Sequence, residues 1–242
     1  MNPLDYYVIT FLNQFAHRSW TFDAFVYLLA RNYVLKTAIL TALLGWAWMR
    51  READGRDHRG VVIFGLIASC AAVLAARVLS FVVPFRERPL RCPDINFVLP
   101  YSVGPDAIWG WNAFPSDNAT LFFGVAACLY LVSRRAGIWA FVHVAVVVGF
   151  ARVYLGYHHP TDILAGAALG VGAVALINVP AVREAVLRVP MQWLQRSPQS
   201  FHAALFVLVL LVATTFDPMY DLARFTSAVA KATLQLTVAL HR

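Results

Sequence analysis

Apolar runs of helix length, separated by short polar connections, dominate the pattern along this chain of 242 residues. Because about 20 apolar residues in a helix cross the hydrocarbon core of a bilayer, we predict about six membrane-spanning helices. They cover residues 33–48, 60–83, 119–132, 138–153, 163–177 and 201–215. The pattern therefore predicts an all-α fold, a polytopic membrane helical bundle. It forms a single membrane domain over 1–242, with the transmembrane bundle at 31–216.

Four other segments break this pattern. Residues 1–30, 183–196 and 217–242 mix apolar with polar positions, which is typical of helices that lie in the membrane interface. Residues 84–115 are rich in proline and tryptophan and predict a long loop on the outer side. Loops of this length tend to be functional.

Composition supports a membrane location, since only 14% of the residues are charged, against about a quarter in soluble domains. The formal net charge is +7, but the basic residues cluster in the connections and not along one face, which argues against nucleic-acid binding. Basic connections stay on the cytoplasmic side, so we expect the loop at 84–115 and the turn at 154–160 to lie outside. No spacing of the three cysteines predicts a metal site or a disulfide.

The turn before the fifth span carries the strongest chemical signal. Pro160 suits the first position of a helix, which places His158 just before the helix and Asp162 in its first turn. A carboxylate there can fix the imidazole tautomer and leave the other ring nitrogen free to attack. The guanidinium of Arg152 suits two oxygens of a phosphoryl group.

Two further polar clusters fall at the same end of the predicted bundle. Ser116 is a natural N-cap for the third span, and backbone N–H groups at such a helix start favour an anion. Arg86 and Arg88 add cations on the outer loop. Each cluster alone has a structural explanation, as a cap, an interfacial pair or a headgroup contact. Their coincidence at one end favours a phosphate site.

The three clusters resemble the motifs of the type 2 phosphatidic acid phosphatase superfamily, in the same order. Arg88-Pro89 corresponds to the end of the first motif, and Pro115-Ser116-Asp117-Asn118 to the second. Ala151-Arg152, His158 and Asp162 correspond to the third. The sequence Pro-Ser-Asp-x-Ala-Thr is most similar to that of bacterial undecaprenyl-diphosphate phosphatases of the bacitracin-resistance type.

The resemblance implies a metal-independent reaction without a cofactor, at the outer face of a bacterial inner membrane. His158 would attack phosphorus to give a phosphohistidine, and Asp162 would orient it. Arg152, Arg88 and the turn that carries Ser116 and Asp117 would hold the phosphoryl oxygens. Water would then release phosphate.

The chain departs from the first and third motifs at single positions. Phe81 stands where the first motif has its lysine, so that a cation is missing. Arg77, one helical turn earlier, or Arg86 could supply it. Ala151 replaces a serine of the third motif, which removes one hydrogen bond.

The departure at Asn118 bears on the substrate, since the second motif has there the histidine that protonates the leaving group. An amide cannot deliver a proton, although Asp117 or His159 could replace it. Loss of a general acid typically costs about 10²- to 10⁴-fold. The cost should be smaller when a lipid monophosphate leaves from a diphosphate, because that group is a weak base. We therefore expect a lipid diphosphate substrate.

Three functions stay open on the sequence alone. The first is a phosphatase that hydrolyses a lipid diphosphate, such as undecaprenyl diphosphate. The second is a phosphotransferase that passes the phosphoryl group to an acceptor hydroxyl. The third is a catalytically weak protein that binds or transports a lipid phosphate.

Overall fold

The computed structural model describes residues 1–51, 58–104, 107–108 and 111–214. Within them the chain forms ten α-helices, in the order α1 (Pro3–Asn13), α2 (Trp20–Arg31), α3 (Tyr33–Met49), α4 (Arg59–Val82), α5 (Asp117–Val132), α6 (Arg134–Val144), α7 (Ala151–Tyr154), α8 (Pro160–Ala175), α9 (Pro180–Arg196) and α10 (Pro198–Ala213). A π-helical segment, Ala145–Phe150, joins α6 to α7. The tail predicted for 217–242 lies outside the described residues.

The predicted all-α fold is confirmed, and each predicted span overlaps helical segments of the described residues. Among the described residues, Arg59–Val82, Arg134–Tyr154 and Pro160–Asn178 are long and apolar enough to cross a membrane. The helices α2 and α3 reach that length only as a pair, bent by 50°. The apolar helices α5 and α10 are shorter, with 16 residues each.

Side chains at the helix starts explain where these helices begin. The Asn32 side chain accepts a hydrogen bond from Leu35 N at 3.0 Å, so α3 starts afresh directly after α2 ends. Ser116 is the predicted N-cap of α5, and its hydroxyl accepts from Ala119 N at 3.4 Å. Each cap satisfies a backbone N–H that has no partner inside the helix.

The helices α4, α5 and α8 form the centre of the bundle, and glycines let α8 approach α5 closely. A Cβ atom added at Gly170 would lie 2.1 Å from the carbonyl oxygen of Thr120. One added at Gly166 would lie 2.6 Å from the carbonyl oxygen of Ser116. Small residues of this kind allow close helix contacts in membranes. As a result the first turns of α5 and α8 touch, and Ser116 N donates to the Asp162 carbonyl at 3.2 Å.

Two buried carboxylates anchor the N-terminal helices to the rest of the protein. Asp5 in α1 and Asp23 in α2 are both fully buried. Asp23 accepts hydrogen bonds from the backbone N–H groups of His17 and Tyr101, at 3.0 and 2.8 Å, and from the hydroxyl of Tyr154. These two carboxylates connect the N-terminal helices to the loop before α5 and to the helices α7 and α8.

Candidate active site

A cavity of about 630 Å³ lies at the end of the bundle where α3 and α5 begin and α4 and α7 end. Its wall includes six of the residues predicted from the sequence, namely Arg77, Arg88, Asp117, Asn118, Arg152 and His158. They come from three separate clusters and one transmembrane helix. The fold therefore brings most of the predicted site together at one end.

Three predicted residues, Arg86, Ser116 and Asp162, lie outside this lining. Ser116 is fully buried as the cap of α5. The guanidinium of Arg86 is ion-paired with the buried carboxylates of Asp5, at 2.5 Å, and Asp162. In this structure these three residues lie next to the cavity and do not line it.

A tight turn presents His158 to the cavity. The backbone N–H groups of Tyr157 and His158 both donate to the Arg152 carbonyl, at 2.9 and 3.3 Å. Gly156 makes this possible with a φ of +70°, a conformation that other residues rarely adopt. A side chain at Gly156 would also meet the Phe97 ring, 2.6 Å from the Cβ position. The glycine thus sets the direction in which His158 points.

The two ring nitrogens of His158 have different partners, which defines the tautomer. Nδ1 lies 2.8 Å from the carbonyl oxygen of Ala113, which can only accept a hydrogen bond, so Nδ1 carries the proton. The lone pair is therefore on Nε2, which lies 3.4 Å from a guanidinium nitrogen of Arg88. The Asp162 carboxylate is 3.7 Å from Nδ1, close enough to stabilise positive charge on the ring.

The surroundings of His158 keep this lone pair available. Burial, together with the positive charges of Arg88 and Arg152, lowers the pKa of His158 to about 4, against the opposing effect of Asp162. A histidine in this environment is neutral at physiological pH. Its Nε2 is therefore a competent nucleophile without a separate base to deprotonate it.

Asp162 makes its closest contacts with groups other than His158. Its carboxylate accepts the backbone N–H of His159 at 2.8 Å and lies 3.2 Å from the Nδ1 of the same residue. It also accepts from Arg86, which Asp5 holds in place. The expected hydrogen bond between Asp162 and His158 is thus replaced by a longer electrostatic contact, since the Ala113 carbonyl takes the proton on Nδ1.

The arginines on the cavity wall provide charge and hydrogen-bond donors for an anion. Burial and the charge of Arg152 lower the pKa of Arg88 to about 10, which leaves it protonated at neutral pH. Its side-chain Nε has no hydrogen-bond partner among the described residues. Arg77 pairs with Asp117 and lies over the Trp111 ring, with its guanidinium carbon 4.9 Å from the ring centre. This accounts for a charged residue inside a transmembrane helix.

Sequence reasoning missed two cations that α2 and α3 bring to the same wall, Arg31 and Lys36. The Lys36 ammonium lies 3.5 Å from the side-chain oxygen of Asn118. The available signal was the position of Lys36 inside an apolar run. A charged side chain there is costly and marks a functional position by default.

Part of the chain is similar to known proteins. Residues 87–183 match the PAP2 superfamily. The chain is 28% identical to the bacitracin transport permease protein BcrC of Bacillus licheniformis, over 51% of this chain and 56% of that protein. It is 21% identical to the undecaprenyl-diphosphatase BcrC of Bacillus subtilis, over 66% of this chain and 76% of that protein.

A third relative has a different reaction in its name. The chain is 29% identical to the lipid A 1-diphosphate synthase of Escherichia coli, over 74% of this chain and 75% of that protein. No solved structure matches the chain. The matched residues 87–183 contain Arg88, Asn118, Arg152 and His158, which line the cavity, together with Asp162 behind it. The part of the chain that is similar to the PAP2 superfamily therefore carries most of the residues at this site.

Proposed function

We propose that the protein is a membrane lipid-diphosphate phosphatase that releases the terminal phosphate of a polyprenyl diphosphate, such as undecaprenyl diphosphate. The observation that carries the proposal is the neutral His158, with the Nε2 lone pair beside Arg88 on the wall of a cationic cavity. The undecaprenyl-diphosphatase relative supports the choice of substrate.

The balance of charge on the cavity wall favours a diphosphate. Among the described lining residues, Arg31, Lys36, Arg77, Arg88 and Arg152 are cationic, and Asp117 is the single carboxylate. A diphosphate monoester carries more negative charge than a phosphate monoester and spans more than one of these cations. A site with this excess of positive charge suits the longer anion.

The proposed reaction has two steps. In the first, Nε2 of His158 bonds to the terminal phosphorus, and the bond from that phosphorus to the bridging oxygen breaks, with its electron pair leaving on the lipid monophosphate. Arg88 and Arg152 bind the phosphoryl oxygens, and Asp162 stabilises the positive ring. In the second step, water attacks the phosphohistidine, releases phosphate and restores the neutral His158.

We further propose that the cavity faces the outside of a bacterial inner membrane. The end of the bundle opposite the cavity carries Arg50, Arg59, Arg134 and Arg135, at the end of α3 and the starts of α4 and α6. Cationic connections of this kind stay on the cytoplasmic side. A lipid diphosphate is added to the outside of intact right-side-out vesicles that contain the protein. Release of phosphate from the lipid would support this orientation.

The substrate proposal is tested with purified protein, a polyprenyl diphosphate and phosphatidic acid, by measuring phosphate release. We expect a higher kcat/KM for the diphosphate and a loss of at least about 10³-fold in His158→Gln, since removal of a nucleophile leaves only residual catalysis. His202→Gln, at an exposed histidine of α10, is the matched control and should keep full activity. A preference for phosphatidic acid contradicts the proposal.

A second candidate is phosphotransfer, which the match to lipid A 1-diphosphate synthase over 74% of this chain favours. The phosphohistidine would then be resolved by an acceptor hydroxyl in place of water. Adding a lipid A acceptor to the same assay, with label in the terminal phosphate, separates the two. Label in the acceptor supports transfer, and label in free phosphate supports hydrolysis.

A further inference from the structure

Lys36 occupies an unusual position beside the residue that departs most from the family pattern. It lies in the second turn of α3, with 3% of its surface exposed, and it lines the cavity. Its Nζ is 3.5 Å from the side-chain oxygen of Asn118. The Tyr33 and Phe122 rings lie 4.9 and 5.7 Å from the ammonium, which helps to hold a buried cation in place.

The other candidates for replacing an acid at position 118 are committed elsewhere. Asp117 is ion-paired with Arg77, although burial raises the pKa of its carboxyl. His159 is buried, contacts Asp162 through Nδ1 and lies outside the cavity lining. Of these residues, Lys36 alone both lines the cavity and carries protons beside Asn118.

We propose that Lys36 stabilises the leaving group, with Asn118 positioning its ammonium, and that this pair makes the site selective for diphosphates. The inference rests on the proposed phosphatase function. As His158 bonds to the terminal phosphorus, the electron pair of the broken bond goes to the bridging oxygen of the lipid monophosphate. Lys36 donates a hydrogen bond to that oxygen and keeps its proton.

The chemistry of lysine explains the selectivity. An ammonium with a pKa of about 10.4 is a weak acid beside a phosphate oxygen, whose second pKa is about 6, so it acts by charge. Fixed positive charge at a developing anion is a large catalytic effect when water is excluded. An alkoxide leaving from a phosphate monoester needs a proton, which an imidazolium supplies more readily than an ammonium. Lysine therefore suits a phosphate leaving group.

The test compares Lys36→Met with the wild type on two substrates, a polyprenyl diphosphate and p-nitrophenyl phosphate. The phenolate of the second substrate delocalises its charge and depends less on a cation. We expect a loss of about 10²- to 10³-fold in kcat on the diphosphate, as for removal of an oxyanion donor, and a much smaller loss on p-nitrophenyl phosphate. Lys36→Arg, which keeps the charge, should keep more activity on the diphosphate than Lys36→Met.

A rescue variant separates catalysis from structure. Adding Asn118→His to Lys36→Met returns a titratable cation, so activity on the diphosphate should rise at least about tenfold below the usual histidine pKa of about 6.5 and fall again above it. Melting temperatures of all variants monitor folding.

Two results would contradict the proposed role of Lys36 and leave the proposed phosphatase function intact. In the first, the wild type hydrolyses the diphosphate and Lys36→Met hydrolyses it equally fast. The other is equal loss on both substrates without rescue, which assigns Lys36 a structural role. A wild type that releases no phosphate from either compound contradicts the proposed function, and the inference with it.

Discussion

At the scale of single residues, the site depends on the separation of roles between the two nitrogens of His158. The Ala113 carbonyl holds the proton on Nδ1, which directs the lone pair of Nε2 toward Arg88 and the cavity. An anion that contacts Arg88 is thereby placed close to this lone pair. Ala113 belongs to the segment just before the second motif, so this segment contacts the histidine of the third motif.

The titration of His158 is a direct prediction at this scale. Because burial and the positive charges of Arg88 and Arg152 disfavour the imidazolium, its pKa should be near 4 in the protein without substrate. Arg88→Met removes one positive charge and should raise this pKa. Imidazole ¹⁵N spectra over a pH series measure both values. Comparison with His158→Gln identifies the signal among the seven histidines.

A pKa near 6.5, unchanged by Arg88→Met, would contradict this account of the site. The lowered pKa of His158 also determines the pH range in which the protein is active. The neutral form of His158 is lost only as the pH falls through the pKa of this residue in the folded protein. Ionisation of His158 should therefore not limit activity at pH 6.

The site residues that could be predicted from the sequence lie in short motifs, whereas those that could not depend on tertiary packing. Arg152 and His158 stand at a fixed spacing within one short motif, so their proximity follows from local geometry, and Asn118 was found by its place in the second motif. Lys36 reaches the cavity only because α3 packs beside α5, a contact between residues 82 positions apart. Arg86 was expected at the phosphate, but the buried carboxylate of Asp5 attracts it, and the burial of Asp5 depends on tertiary packing.

At the scale of helices, the contact between α5 and α8 sets the relative position of two motifs. We predict that Gly170→Ala destabilises the protein by about 1–3 kcal/mol or more, as overpacking does, because its Cβ would lie 2.1 Å from the Thr120 carbonyl. Gly172→Ala is the control on the same helix, since nothing lies within 4 Å of its Cβ position. Thermal unfolding in detergent measures both, and equal stability of the two variants would refute close packing here.

The helix α1 supports the start of α8 through one carboxylate. Asp5 accepts hydrogen bonds from Thr161 N at 3.0 Å, from the Thr161 hydroxyl at 2.7 Å and from Arg86 at 2.5 Å. Asp5→Asn leaves Arg86 partly uncompensated, and we expect a loss of about 2 kcal/mol, below the roughly 3–5 kcal/mol of a fully buried pair. Activity should fall as well, because the turn with His158 adjoins this contact.

Unfolding and kcat of Asp5→Asn are compared with Glu184→Gln, which removes an exposed carboxylate on α9. Identical behaviour of the two variants would show that α1 does not support the site. The sequence indicated a polar interruption at Asp5 but not its burial, because an isolated carboxylate in an apolar run is equally compatible with headgroup depth.

At the scale of the whole molecule, the helices and their order were predictable because each apolar run specifies one helix regardless of its neighbours. The bend between α2 and α3 was not, since it depends on the Asn32 cap and on what the two helices contact. This bend places Arg31 and Lys36 at the cavity. The site is therefore built by the region matching the PAP2 superfamily together with helices that precede it.

In the proposed mechanism, His158 forms a covalent bond to phosphorus during turnover. The most direct measurement is rapid denaturing quench of the protein with a lipid diphosphate labelled with ³²P in the terminal phosphate. We predict protein-bound label that is stable to alkali and labile to acid, located on the peptide that contains His158, and absent from His158→Gln. Undiminished phosphate release by His158→Gln, or label on that variant, would contradict the account.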